Sequence, residues 1–557
     1  MITNPIFKGF NPDPCVCRKG DDYYVAVSSF EWLPGIPVYH SKDLVHWELL
    51  THVLSDQVDL TKLPSAKGIW APCLTYCEAE DKFYVVYGVM NSMNSRYFDV
   101  DNYVISASDI CGPWSEPVYL HSSGFDASIL HDDDDGKKYV VALEWETREG
   151  YEKPGVICIC EYDAQNKKVV GYPQRIWAGT TNRGCIEAPH LTKRNGYYYL
   201  MCAEGGTGYN HCVTMARARN PFGPYEADPL GAIVTSTIND SNERQDPDHL
   251  KPKYFNPDSV LQKSGHGSYV DLPNGETYLF HLTARPFVPE LCCTLGRETA
   301  IQKMKWSEDG WLRPYDDNVL AKLEVPEPNL PKVELAIPSN ADDFVGEKLN
   351  NYYYAPRIMP DTFASVTERT GYVRIRGCES QASLNKVSLL ARKLTSVYAT
   401  VTTAMDFKPE VYHHSAGLIV YYDNQNYVFL RKYYSQTLQG SAISIIHLEN
   451  GVKNEMLNTR IKVEDDRELV FRVNFNGRKF NFEWGYKEPG CDIKSKVGAL
   501  TKIGPEFETY KFSDEYCKFG EFTGTFVGIT CSDSLFHRHH ADFDFFDYEA
   551  DESKGVE

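Results

Sequence analysis

The sequence predicts an all-β protein, with an N-terminal five-bladed β-propeller followed by a C-terminal β-sandwich. Three observations carry this prediction. An aromatic-rich strand pattern recurs five times in the first part of the chain, at intervals of about 60 residues that lengthen once. Gly and Asn-Gly turns separate the strands and leave little room for helices. Beyond a proline-rich stretch the repeat stops, and longer alternating strands follow.

The repeated unit begins with a short polar turn and continues into a strand that carries a tyrosine at an equivalent position. These tyrosines are Tyr24, Tyr84, Tyr139, Tyr198 and Tyr278. Short strands, regular turns and a period of this size are typical of propeller blades. The five units therefore predict five blades over residues 1–322.

The repeat also predicts which residues face the central axis, because the innermost strands of all blades converge there. Roughly eleven to fourteen residues before each tyrosine lie Asp13, the Trp-Ala-Pro segment at 70–72, Asp126, Glu187 and His266. Unpaired acidic side chains that lie close together destabilise a folded protein, so they are not expected unless they have a function. The pattern therefore predicts that Asp13, Asp126 and Glu187 share one functional cavity.

Residues 323–340 are rich in proline, with Pro326, Pro328, Pro331 and Pro338, and are predicted to form a semi-rigid linker. From residue 341 to 557, alternating apolar and polar residues indicate half-buried strands, and the Asn-Gly pair at 476–477 indicates a hairpin. This part is predicted to be a β-sandwich that packs on the propeller.

Charge and composition exclude several classes of partner. The formal net charge of -20 disfavours nucleic acids and anionic membrane surfaces. No apolar run approaches the length of a membrane span, and no secretory signal precedes the repeats, so we expect a cytoplasmic protein. The 16 cysteines lack zinc-finger spacing and are expected to be reduced, buried thiols.

Two carboxyl groups across a sugar-sized gap are the minimum equipment for breaking a glycosidic bond. One protonates the leaving oxygen, and its pKa must be raised by burial or by negative charge nearby. Glu187 has the longer side chain, which suits reaching a leaving group. Asp13 lies on a proline-stiffened segment, which suits holding a water molecule.

Six motifs, in order along the chain, resemble glycoside hydrolase family 43, most closely its two-domain β-xylosidases. They are Asn-Pro-Asp-Pro at 11–14, Gly-Phe-Asp-Ala-Ser at 124–128, Glu-Ala-Pro-His at 187–190, residues 203–211, Gly-His-Gly-Ser at 265–268 and residues 295–300. The resemblance implies a five-bladed propeller and hydrolysis with inversion. It implies that Asp13 is the general base, Glu187 the general acid and Asp126 the group that tunes and orients the acid. Inversion implies a gap of roughly 6.5–9.5 Å between the base and the acid.

Further residues are expected to bind the sugar. Arg285 is expected to face the three acids and donate to sugar hydroxyls, with a structural ion pair as the alternative. Trp70, Phe30 and Trp145 are candidates for an apolar wall, against the alternative of ordinary core aromatics. By resemblance, Thr207 is expected to contact substrate as well.

His266 has the same position in its repeated unit as Asp13 and Asp126 have in theirs. Relatives often hold a divalent ion, commonly calcium, near the matching histidine, so a structural calcium bound by His266 is expected; a histidine satisfied by other contacts is the alternative. His266 also counts among the expected substrate-binding residues. The reaction itself is expected to need no cofactor, because acid and base already account for it.

The resemblance implies that the sandwich lends an aromatic loop to the pocket, supplied by Phe519 or Phe522. A closed pocket predicts an exo-enzyme that releases D-xylose from xylobiose and short xylo-oligosaccharides. The alternatives are an α-L-arabinofuranosidase or an enzyme with both activities, an endo-acting enzyme, and a non-catalytic sugar-binding propeller. A homo-oligomer, dimer or tetramer, stays open.

Overall fold

The computed structural model describes residues 1–94, 97–151, 155–240, 255–336, 339–518 and 522–556. Within these ranges the chain consists mainly of β-strands, with one short α-helix, Ile493–Lys496, and 3₁₀ turns at Glu78–Glu80, Pro360–Thr362 and Thr509–Lys511. No helix in the described ranges has the length and apolar character needed to cross a membrane.

The N-terminal part forms five antiparallel sheets of four strands each. The first strand of every sheet contacts the first strand of the next, and the fifth sheet returns to contact the first. The sheets are therefore the blades of a closed propeller around a central axis. The five repeated tyrosines all lie in the second strand of their blades. The prediction of a five-bladed propeller is confirmed.

The blades, numbered I to V along the chain, have the following strands. Blade I has Cys15–Lys19, Asp22–Ala26, Gly35–Ser41 and Glu48–Leu54. Blade II has Gly68–Cys77, Lys82–Asn94, Tyr97–Ala107 and Val118–His121. Blade III has Ser128–Asp132, Lys137–Trp145, Gly155–Asp163 and Lys168–Trp177. Blade IV has Glu187–Arg194, Tyr197–Glu204, Cys212–Ala218 and Glu226–Thr235, and blade V has Gln262–Asp271, Thr277–Ala284, Glu298–Trp306 and Leu312–Pro314.

In each blade, a non-glycine residue with positive φ lies at an equivalent position, just before or within the first half of the inner strand. These residues are Asp13, Ala71, Asp126, Ala188 and His266, with φ between 40° and 58°. The left-handed conformation is uncommon outside glycine, and Asp, Asn and His adopt it more readily than other residues. The repeated backbone turn therefore gives the five blades a common axial position. In blade IV the turning residue is Ala188, so Glu187 lies one residue before the position that the other blades use.

The C-terminal part is a sandwich of two antiparallel sheets, as predicted. One sheet contains Ala341–Asp342, Ala364–Ser365, Val373–Arg376, Tyr398–Asp406, Leu469–Asn476, Lys479–Tyr486, Thr501–Glu508 and His540–Ala550. The other contains Leu389–Lys393, His414–Asp423, Asn426–Ser435, Gly440–Glu449, Val452–Lys462 and Phe526–Asp533. Apolar residues from both sheets meet in one large core between them.

The two parts of the chain are joined by strand pairing and by a buried aromatic contact. Trp32–Leu33, in the connection between the second and third strands of blade I, pairs with Ala355–Pro356 of the C-terminal part. The ring of Trp32 stacks on Phe526 of the sandwich at 3.6 Å between centroids. The sandwich therefore packs directly on the propeller face that carries the start of blade I.

The expected linker, residues 323–340, begins with a strand. Glu324–Val325 pairs with Ile2–Thr3, so the end of the propeller is tied to the first residues of the chain. Pro338 lies outside the described residues.

Candidate active site

The candidate active site is a cavity at the propeller axis, and residues from all five blades line it. Its polar lining consists of Asp13, Asp126, Glu187, Thr207, His266 and Arg297. Its apolar lining consists of Phe30, Trp70, Met93, Phe98, Phe125, Trp145, Leu282 and Phe522. The three acids that the repeat places on the axis do converge in one cavity.

Asp13 is held by a short hydrogen bond on one side of its carboxylate. The hydroxyl of Ser28 donates to Oδ2 at 2.6 Å. On the other side, Oδ1 lies 3.5 Å from Nδ1 of His266 and 3.6 Å from Nη1 of Arg297. Oδ2 is thus committed to the protein, whereas Oδ1 has only longer contacts within the cavity.

Asp126 is tied to the neighbouring blade. Its Oδ2 accepts the backbone N–H of Ala188 at 3.0 Å, and Ala188 directly follows Glu187. Burial, and then the negative charges of Glu187 and Asp13, raise the pKa of Asp126 well above its ordinary value. The carboxyl group of Asp126 therefore retains a proton to higher pH than an isolated aspartic acid would.

Glu187 begins the inner strand of blade IV, and its Oε1 lies 3.6 Å from Nε2 of His211. Nδ1 of His211 lies 3.1 Å from the carbonyl of Lys263, which assigns the ring proton to Nδ1 and a lone pair to Nε2. Burial lowers the pKa of His211 well below its ordinary value, so the ring is neutral. A lone pair that faces a carboxyl group favours the protonated acid.

Arg297 connects the acids to the second domain. Its Nη2 donates to the backbone carbonyl of Phe522 at 2.9 Å, and its Nη1 donates to Oγ1 of Thr207 at 3.3 Å. The guanidinium also lies over the rings of Phe30 and Phe522, at 5.5 Å and 5.1 Å from their centroids. Arg297 is therefore the arginine that faces Asp13.

Aromatic side chains form the walls of the cavity. The ring of Trp70 makes edge contacts with Phe125 and Phe522, at 5.7 Å and 6.2 Å between centroids. Phe522 belongs to the sandwich, so the second domain supplies part of the cavity wall. Aromatic faces of this kind suit the apolar faces of sugar rings.

The expectation that Arg285 faces the acids is wrong. Its Nε and Nη2 donate to the two carboxylate oxygens of Glu298 at 2.7 Å and 2.8 Å, away from the cavity. The register explains this pair: Arg285 follows the strand Thr277–Ala284, and Thr283 is the cross-strand neighbour of Glu298. The alternative of a structural ion pair describes Arg285 correctly.

The other expected binding residues have different outcomes. Trp70, Phe30, Trp145, Thr207, His266 and Phe522 all line the cavity, and their contacts with substrate stay a prediction. Phe519 lies outside the described residues. Sequence reasoning missed Phe125, Phe98, Met93, Leu282, Arg297 and His211. Arg297 and His211 stand inside motifs that resemble the family, which was the available signal.

The side chains around His266 do not provide the ligands that calcium needs. Calcium binds six to eight oxygen ligands, whereas the close polar neighbour of His266 is Asp13, at 3.5 Å from Nδ1. Among the described residues, no group of three metal-ligating side chains includes His266. Burial lowers the pKa of His266 to about 4. This donor set does not fit a calcium site built from side chains.

The arrangement has the parts required to hydrolyse a glycosidic bond. Two carboxyl groups, Asp13 and Glu187, share a cavity with a third, and the neutral ring of His211 lies 3.6 Å from Glu187. Aromatic walls enclose these groups and reduce their contact with water. A closed propeller with an acid pair of this kind defines a glycoside hydrolase.

Comparison with known proteins agrees with this class. Residues 2–312 match the family described as glycosyl hydrolases family 43. Residues 341–549 match the β-xylosidase C-terminal concanavalin A-like domain. The chain belongs to glycoside hydrolase family 43.

Relatives match over nearly the whole chain. A β-xylosidase of Bacillus subtilis is 38% identical, over 98% of this chain and 99% of the relative. A xylosidase/arabinosidase 43B of Humicola insolens is 36% identical, over 98% and 97%. The crystal structure of a xylan β-1,4-xylosidase from Bacillus halodurans has a TM-score of 0.91 and 38% identity, and covers 99% of this chain and 100% of its own.

Proposed function

We propose that the protein is an exo-acting, inverting β-xylosidase that releases D-xylose from the non-reducing ends of xylobiose and short β-1,4-xylo-oligosaccharides. The observation that carries this proposal is the single cavity in which Asp13, Asp126 and Glu187 meet beneath a wall from the second domain. The names of the full-length relatives support the choice of xylose.

In the proposed mechanism, Glu187 donates a proton to the leaving oxygen while Asp13 accepts a proton from the attacking water. Ser28 holds Oδ2 of Asp13, so Oδ1 is the atom assigned to the water. His211 keeps the proton on Glu187 before the reaction, and Asp126 fixes the backbone next to Glu187 through Ala188. Attack from the face opposite the leaving group inverts the anomeric centre.

The second candidate is an α-L-arabinofuranosidase or an enzyme with both activities. A relative that aligns over nearly the full chain is named for both sugars. Arabinofuranose and xylopyranose can present similar hydroxyls to one pocket. The initial rates on 4-nitrophenyl β-D-xylopyranoside and 4-nitrophenyl α-L-arabinofuranoside separate the candidates. A much faster arabinoside rate overturns the preference for xylose, and no hydrolysis of either supports a sugar-binding propeller.

Two product analyses test the mechanism and the mode of action. Proton NMR of the first sugar released from xylobiose is expected to show α-xylose before mutarotation, whereas β-xylose contradicts inversion. Early products from xylotetraose are expected to be xylose and xylotriose. Xylobiose as the first product indicates endo action instead.

A further inference from the structure

A second ring of side chains lies below the acids. Two residues beyond the positive-φ position of each inner strand stand Cys15, Cys73, Ser128, His190 and Ser268, one from each blade. The inner strands of the five blades contact one another around the axis. Hydrogen bonds between blades link these positions, from Ser268 to Pro14 and from Ser128 to Pro189. The five residues therefore form a layer around the axis, two residues further along each inner strand than the positive-φ position.

Three members of this layer lie close enough to share one ion. One ligand atom from each of Cys15, Cys73 and His190 lies within 4.8 Å of the others. The sulfur of Cys15 accepts the backbone N–H of Leu74 at 3.3 Å and lies 3.4 Å from the carbonyl oxygen of the same residue. Leu74 directly follows Cys73, so these bonds hold the sulfur of Cys15 against the strand that carries Cys73.

The remaining two members of the layer support the strands that carry these groups. The hydroxyl of Ser268 donates to the carbonyl of Pro14, which precedes Cys15, at 3.0 Å. The hydroxyl of Ser128 donates to the carbonyl of Pro189, which precedes His190, at 2.5 Å. Such supporting bonds orient ligand side chains in known metal sites.

The donor set selects the kind of ion. Two thiols and one imidazole form a soft set that suits zinc and similar thiophilic ions, and not calcium or magnesium. Tetrahedral zinc with bonds of about 2.3 Å to sulfur and about 2.0 Å to nitrogen separates its ligand atoms by roughly 3.4–3.8 Å. The ligand atoms of Cys15, Cys73 and His190 all lie within 4.8 Å of one another, which is compatible with these separations. Cys15 and Cys73 are buried, whereas His190 is partly exposed, which gives an ion a route of entry beside the imidazole.

We propose that Cys15, Cys73 and His190 form a binding site for one thiophilic divalent ion, with zinc as the representative, in the axial channel below the catalytic carboxyl groups. The site has three protein ligands and leaves a fourth position for water. It is separate from the expected calcium position, because it uses different residues and soft ligands. It does not depend on which sugar the enzyme hydrolyses.

The test uses the full-length protein, stripped with a chelator under reducing conditions and then dialysed against zinc sulfate or cobalt chloride. Mass spectrometry of bound metal is expected to give about one zinc per chain, with a tetrahedral site. Cobalt is expected to give a sulfur-to-cobalt charge-transfer band in the near ultraviolet. Cys73→Ala and His190→Gln are expected to weaken zinc binding by at least about 10–100-fold, since even supporting residues contribute that much.

Controls make the result specific. Cys160→Ala removes a buried thiol from the same packing cluster and is expected to leave zinc binding unchanged. A second candidate group, Glu410, His414 and His539, contains no sulfur, so His539→Ala should leave the charge-transfer band intact. Circular dichroism identifies any variant that fails to fold, and His190→Gln, which keeps both thiols, is the milder of the two.

Three outcomes overturn the proposal. They are no tight zinc binding by the wild-type chain, a charge-transfer band that survives in folded Cys73→Ala and His190→Gln, and a thiol count that shows Cys15 and Cys73 joined in a disulfide. Loss of the band in both variants, with retention in both controls, supports it.

Discussion

At the scale of single residues, the active site depends on backbone conformation as well as on side-chain chemistry. Asp13, Asp126 and His266 all have positive φ, and all three line the cavity. Asp and His tolerate this conformation better than most residues do. The carboxyl groups therefore reach the axis because the chain turns at the residue that carries the acid. Glu187 reaches it from the preceding position, with a longer side chain.

Replacement of the acid and the base should have different effects on different leaving groups. Glu187→Gln is expected to lower kcat/KM on xylobiose by about 10²–10⁴-fold, because a poor leaving group needs a proton. On 2,4-dinitrophenyl β-D-xyloside the loss should be far smaller, because this leaving group departs unprotonated. Asp13→Asn should reduce both rates alike. Equal losses for Glu187→Gln on both substrates would contradict its role as the acid.

The two arginines provide a matched pair for the binding site. Arg297→Lys should lower kcat/KM by about tenfold or more, because lysine cannot reproduce the fork that bonds Thr207 and Phe522. Arg285→Lys changes an ion pair with Glu298 outside the cavity and should leave kcat/KM near the wild-type value. Steady-state kinetics on the preferred nitrophenyl glycoside decide between them. A larger loss in Arg285→Lys would contradict the structural assignment.

The raised pKa of Asp126 predicts a pH-dependent stability. In the unfolded chain this acid titrates near its ordinary pKa of about 3.9, whereas burial and the neighbouring acids raise its pKa in the fold. The folded state then binds more protons than the unfolded state between these two values, so stability falls as pH rises through that window. Asp126→Asn removes the effect. Its melting temperature should exceed that of the wild type by more at pH 8 than at pH 5.

The sequence was sufficient to predict the acids but not the arginine. The acids have a fixed place in a repeat, so counting along the chain was enough to bring Asp13, Asp126 and Glu187 together. Arg285 and Arg297 lie at the two ends of the connection between the second and third strands of blade V. The length of this connection differs between blades, so the repeat does not predict where its residues point. Their directions depend on the cross-strand register that pairs Arg285 with Glu298, which a single sequence does not reveal.

At the scale of elements, the segment between the sandwich strands Thr501–Glu508 and Phe526–Asp533 supplies the wall residue Phe522 of the cavity. Glu515, in this segment, makes a fully buried ion pair with Lys263 of blade V and accepts the backbone N–H of Cys293 at 2.9 Å. Asp514 accepts the backbone N–H of Thr523, next to Phe522, at 3.2 Å. Two adjacent acids thus attach the segment to the propeller and hold the aromatic wall. The expected aromatic loop was predicted by resemblance, but its attachment was not.

Removal of the negative partner from this pair should be costly. Glu515→Gln removes the carboxylate that contacts the buried Lys263 ammonium, and about 3–5 kcal/mol of unfolding free energy should be lost. The double variant Lys263→Met with Glu515→Leu should recover most of it, because buried pairs are often replaceable by apolar residues. Urea unfolding measures both.

The control for this pair is an exposed one. Asp81→Asn breaks an ion pair with Lys19 that is largely in solvent, and its effect on the free energy of unfolding should be small. A cost for Glu515→Gln no larger than that of Asp81→Asn would contradict the role given to the buried pair.

At the scale of the whole molecule, the two domains complete one active site. The pairing of Trp32–Leu33 with Ala355–Pro356, the stack of Trp32 on Phe526 and the bond from Arg297 to Phe522 all cross between them. A single sequence predicts both folds from their periodicity. It does not predict the interface, because the contacting residues are apolar in either case and their partners lie hundreds of positions away.

Damage to the interface should therefore affect catalysis and stability together. Phe526→Ala removes a fully buried ring and should cost about 3–5 kcal/mol. It should also lower kcat/KM by up to about 100-fold, because the nearby wall residue Phe522 loses its support. Phe545→Ala, in a separate small cluster of the sandwich, should be destabilising while the folded enzyme keeps its kcat/KM. Similar kinetic losses in both variants would contradict this link.

The five positive-φ positions have a consequence for how this scaffold acquires new chemistry. Each blade has one equivalent position that faces the axis. This position is aspartate in two blades, histidine in one and alanine in two. Ala71 and Ala188 place only a methyl group at this position. The side chain at one of these positions can therefore be changed in one blade without a change in the backbone of the other four.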